Sequence, residues 1–73
     1  MLRDTIDIEY RNYLNDNQTP PKVIVMSFDD IAMLMEELGL NPLDEFSNYH
    51  GMEINVDDVY NIELHSYASF QSR

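Results

Sequence analysis

A chain of 73 residues holds one domain and leaves little room for an enclosed catalytic cleft. Its net charge of −10, from 14 acids against 4 bases, excludes the basic footprint that nucleic acid or an anionic membrane needs and favours a basic protein surface as partner. The absence of cysteine removes disulfides and thiolate metal sites and fits a reducing, cytoplasmic setting.

Residues 1–14 support two readings. Thr5–Tyr10 alternates as a strand, with Ile6, Ile8 and Tyr10 on one face, while Leu2, Ile6, Tyr10, Tyr13 and Leu14 also fit a helical stripe. The strand is preferred here. An arm loosely attached through the polar 15–21 loop, which ends in two prolines, is the alternative. The opening MLRDTIDIEY has no apolar run of signal-peptide length, and no later segment reaches the roughly 18 apolar residues of a membrane span.

Lys22–Met26 (KVIVM) is β-branched and reads as a buried strand leading into the best-marked segment of the chain, Met26–Leu40. Ser27 is placed as an N-cap, with Asp30 in the acidic slot of a capping box. Met26 and Ile31 are set for a hydrophobic staple. Phe28, Ile31, Leu34, Met35 and Leu38 recur at helical spacing. Gly39 and Leu40 supply a Schellman ending, so a helix of about three turns is expected. Asn41-Pro42 then suggests a second, short helix to about Ser47, with Leu43 and Phe46 facing the core. His50-Gly51 ends it.

Met52–Val56 and Val59–His65 both alternate, and Asp57-Asp58 between them reads as the turn of a β-hairpin. Met52, Ile54 and Val56 would point inward from one strand, and Tyr60, Ile62 and Leu64 would share a face of the other. The tail from Ser66 is polar apart from Tyr67 and Phe70. The expected fold is α+β in the order β-α-α-β-β. It is a single domain, 1–73, with its folded body at 22–67. A three- or four-stranded, mainly antiparallel sheet carries one long and one short helix on one face.

Catalytic chemistry is not visible. The acids fall in doublets, Asp29-Asp30, Glu36-Glu37, Asp44-Glu45 and Asp57-Asp58, and sequence neighbours do not converge on a substrate. His50 and His65 lack metal-ligand spacing, and no glycine-rich or calcium loop is present. The chain therefore reads as non-enzymatic, with no metal and no cofactor. Phe28, Phe46 and Tyr60 read as core.

The binding signal is charge. From Val23 to Ser72 there are ten carboxylates and no Lys or Arg. On the central helix Asp29, Asp30, Met33, Glu36 and Glu37 fall opposite the apolar stripe. No basic i,i+4 partner stands on that helix, and Glu36 and Glu37 oppose the macrodipole in its last turn. These five form a candidate docking face, with Met33 as a soft apolar centre. Asp4, Asp7, Glu9 and Tyr10 form a candidate additional interface. The alternative is an ordinary solvated face on an acidic protein.

In size and charge, over the whole chain but with no shared motif, the sequence resembles small acidic phage-encoded inhibitors of bacterial RNA polymerase. That resemblance implies a stoichiometric inhibitor that docks on a basic surface of the host transcription machinery and blocks initiation in the host cytoplasm. A second reading is a DNA mimic acting on a nuclease, as anti-restriction and anti-CRISPR proteins do. A third is a structural or adaptor role. Mimicry requires carboxylates spread along a ridge, whereas an adaptor requires a mixed acidic and apolar patch.

Overall fold

Four consecutive residues, Val23–Met26, are all buried, and the sheet is built outward from them. The computed structural model describes residues 1–66, so Tyr67 and Phe70 lie outside the described residues. Its elements are α1 (Leu2–Asn17), β1 (Val23–Met26), α2 (Phe28–Glu37), β2 (Asn48–Tyr49), β3 (Met52–Val56) and β4 (Glu63–His65). The sheet order is β2-β3-β1-β4. β1 runs parallel to β3 and antiparallel to β4, and β2 pairs antiparallel with β3. Two helices and a four-stranded mixed sheet make the fold α+β, as expected.

A run buried on both faces needs no alternation, which is why β1 reads as continuous VIVM. Ile24 and Met26 point to the helical side and meet Ile6 of α1, Ile31 and Leu34 of α2, and Met52 of β3 in one core cluster. Val23 and Val25 alternate to the opposite face, in register with His65 and Glu63 of β4.

The parallel pairing of β1 with β3 requires a crossover, and α2 lies within it. α2 begins where expected, with Ser27 Oγ accepting from the Asp30 amide at 3.1 Å. Both staple residues, Met26 and Ile31, are in the core. It ends in a full Schellman pair. The Leu40 amide donates to the Met35 carbonyl at 2.9 Å and the Gly39 amide to the Glu36 carbonyl at 3.1 Å, with Gly39 at φ 75°.

Several sequence expectations are corrected. Thr5–Tyr10 is not a strand. Residues 1–21, read as a strand or a loosely attached arm and loop, hold the 16-residue helix α1, whose Ile6 is fully inside the core. The β-branched alternation there is overridden by the helical stripe Leu2, Ile6 and Tyr10, all three packed in or against the core.

No second helix forms after Pro42. Asn41 Oδ1 accepts from the Leu43 amide, Asp44 Oδ2 accepts from the Asn41 amide, and the Asp44 amide donates to the Asn41 carbonyl. The segment closes a single capped turn without propagating, as a costly helix nucleus allows. Leu43 is consequently almost fully exposed, while Phe46 still packs against the core.

Met52–Val56 and the following run do not form a hairpin with each other. β3 turns back on β2 through His50-Gly51, whose φ values of 54° and 77° suit a type I′ turn. β4 crosses instead to the far side of β1. Tyr60, freed from any strand, is exposed, while Ile62 and Leu64 pack on the core.

Candidate docking site

The five residues proposed on α2 do not share one environment, because successive residues turn by about 100° around the axis. Asp30 and Glu37 fall on the flank facing α1. Asp30 lines a shallow cleft with Leu2, Thr5, Glu9 and Ile62. Glu37 reaches the start of α1, where Met1 gives no side-chain cap. Its Oε2 accepts from the Leu2 amide at 2.8 Å and its Oε1 from the Arg3 amide at 3.0 Å. The Arg3 Nε lies 3.8 Å from the same carboxylate.

A carboxylate on the positive end of a helix dipole satisfies two otherwise orphan donors. The Leu2 amide, then the Arg3 amide, hold the Glu37 carboxyl below its ordinary value. The N-terminal ammonium and Arg3 charge add to this, against the opposing cost of burial. The assignment of Glu37 to the exposed docking face is thus corrected: its side chain is only 9% exposed and joins the two helices.

Asp29, Met33 and Glu36 remain exposed. Met33, at 48% exposure, forms the crest of α2 between the two flanks. Asp29 and Glu36 stand seven residues apart on nearly the same line, about 10 Å along the axis. They border a surface that sequence reasoning missed.

Phe28, assigned to the core from sequence, is 73% exposed because it occupies the first helical position, at the rim. With Ile31, Ala32, Met35, Leu40 and Pro42 it lines an open apolar groove, and Glu36 stands on the groove's side. Phe28 also lines a second cleft, with Val56, Asp29, Asp57 and Asp58. Val56, expected to point inward, is 62% exposed. It lies at the carboxyl end of β3, next to Met26 at the carboxyl end of β1. Only the parallel pairing brings Asp57-Asp58 beside Asp29, and no local sequence signal encodes that pairing.

The residues proposed on α1 are not gathered into this surface. Asp4 lies 3.9 Å from the N-terminal ammonium, and Asp7 is paired with Arg11. Tyr10 packs against the core, and its ring lies tilted to that of His50, with centroids 5.9 Å apart. Glu9 lines the cleft with Asp30 on the α1 flank.

Among the described residues, Asp29, Glu36, Asp57 and Asp58 make no ion pair. Of the described cations, Arg3 is held by Glu37 and Arg11 by Asp7. Lys22 precedes the amino end of β1, the length of a four-residue strand, about 13 Å, from the end that carries Phe28 and Asp29. Among the described residues no group of His, Asp and Glu side chains could hold a metal ion, and no helix is long and apolar enough to cross a membrane. No protein-family model matches the chain, and no curated protein or solved structure was found to resemble it.

Proposed function

We propose that this chain is a non-enzymatic binding protein that docks the exposed acidic and apolar side of α2 on a basic surface of another protein and inhibits it by occupancy. The observation that carries this reading is the mixture on that side. Exposed Phe28 and Val56 line clefts with Asp29, Glu36, Asp57 and Asp58, exposed Met33 stands on the crest of the same helix, and none of these four carboxylates makes an ion pair among the described residues. Carboxylates would steer the encounter, and the apolar groups would supply the contact that holds the complex. Such a mixed patch favours an adaptor or inhibitor over a DNA mimic. The resemblance in size and charge names bacterial RNA polymerase as the first partner to try.

The test is capture from bacterial lysate on the immobilised full chain, followed by binding measurements with the purified partner. A stoichiometric complex is expected whose on-rate falls steeply from low to physiological ionic strength. It should weaken in Asp29→Asn and in Met33→Ala. RNA polymerase subunits would support the transcription reading, and a nuclease would replace it with mimicry. An on-rate indifferent to salt and to both substitutions would overturn the docking face.

A further inference from the structure

The groove constrains what the partner must present. It runs along the flank of α2 opposite Asp30 and Glu37, so α1 does not cover it. Its floor is apolar and includes Met35, a side chain that adapts to different shapes. Its near wall is helical, and the Leu40–Pro42 segment forms the other side. Single exposed apolar residues are ordinary, but Phe28 lines both the groove and the cleft that holds Val56, so the two adjoin at its ring. Asp29 and Glu36 mark two points along α2 about two helical turns apart.

From this geometry we infer that the groove receives an amphipathic helix of the partner. A bulky apolar side chain would be seated over Ala32 and Met35, and two Lys or Arg residues about two turns apart would meet Asp29 and Glu36. This is the helix-in-groove mode of recognition, read as anchors at helical spacing. It rests on the docking reading above and adds the chemistry of the partner. Charge decides the occupant. A second copy of this chain would bring its own net −10 against these carboxylates, and nucleic acid would bring phosphates. A basic amphipathic helix complements both the floor and the rim.

The probe is a fluorescently labelled helical peptide with a leucine face flanked by two lysines seven residues apart, titrated with the full chain by anisotropy. Saturable one-to-one binding is expected. Replacing both peptide lysines with glutamine should weaken it roughly fivefold or more, as loss of paired rim charges does. Ala32→Arg places a bulky cation in the groove at an exposed helical position, and should weaken binding roughly tenfold or more without altering the melting temperature.

Glu36→Gln and Glu53→Gln remove the same charge, but Glu53 alternates to the sheet face away from Met52 and the helices. Only Glu36→Gln should weaken binding. Equal loss in both would mean attraction by bulk charge and would overturn the groove. If the peptide fails to bind while the natural partner is still held, with salt sensitivity and undiminished by Ala32→Arg, the groove inference falls and the docking reading stands. If neither peptide nor partner binds, both fall.

Discussion

Glu36 and Glu37 are adjacent in the last turn of α2, with the same charge and the same unfavourable position on the helix dipole. One residue of rotation separates their roles. Glu37 turns toward α1 and becomes the side-chain cap that α1 lacks at its amino end, bonded to two backbone amides and close to Arg3. Glu36 turns toward the groove and stays in solvent. The flank with Glu37 is locked by structure, and the flank with Glu36 is left open. An acidic residue that violates the dipole rule therefore points either to a distant helix terminus or to a binding surface, and only the tertiary arrangement distinguishes the two.

The largest expected effect lies in the core beneath both flanks. Leu34 is fully buried between the sheet and α1, so Leu34→Ala should cost about 2–5 kcal/mol through the cavity it leaves. A urea midpoint that barely moves would mean that the two flanks are not held on a common core.

Glu37→Gln comes next and tests the locked flank. It keeps the shape and removes the charge, so the melting temperature should fall, whereas Glu36→Gln should leave it nearly unchanged. The pH dependence has a fixed sign. The folded-state carboxyl of Glu37 lies below its ordinary value of 4.5, so the unfolded chain binds the proton more readily. Its contribution is then fully present above the ordinary carboxylate range and is lost as pH falls through the folded value. The gap in stability between wild type and Glu37→Gln should be widest above about pH 5.5 and close on further acidification. A gap independent of pH would show that the carboxylate charge does not hold α1.

What was legible in the sequence was what short-range signals encode. Ser27, the staple residues, Gly39 and Leu40 specify both ends of α2 within fifteen residues, and VIVM marks the central strand because burial on both faces demands an unbroken apolar run. The misreadings share a cause. α1 competes with its own β-branched alternation, and the contacts that favour the helix come from residues far along the chain: Glu37, 35 positions from Leu2, and Met52 in the core. Asn41-Pro42 carries good start signals, but those signals open a helix without guaranteeing its propagation.

The Asp57-Asp58 turn suited a hairpin until β1 offered β4 a pairing edge on its other side. The docking surface divides the same way. Asp29, Met33 and Glu36 were visible from helical period alone. Phe28 joins them from the exposed first position of α2, and Val56, Asp57 and Asp58 join only because β1 and β3 are parallel.

The smallest effect on stability is the sharpest test of the open flank. Glu36→Lys reverses a charge that the α2 dipole disfavours, at a side chain in solvent, so stability should rise by about 0.3–1 kcal/mol. The same substitution places a cation on the groove beside Met35, where the proposed partner brings its own cation, and affinity should fall roughly tenfold or more. Stability and binding would then move in opposite directions from one substitution. Glu37→Lys, one residue on, should lower the melting temperature by placing a cation against the amino end of α1. Melting curves and peptide titrations on the two variants form the comparison. If Glu36→Lys raises the melting temperature and leaves affinity intact, Glu36 is ordinary solvated surface and the groove has lost its charged rim. If Glu36→Lys destabilises the fold as Glu37→Lys does, the two flanks of α2 are not distinct, and the contrast between the locked and open sides of the helix fails with them.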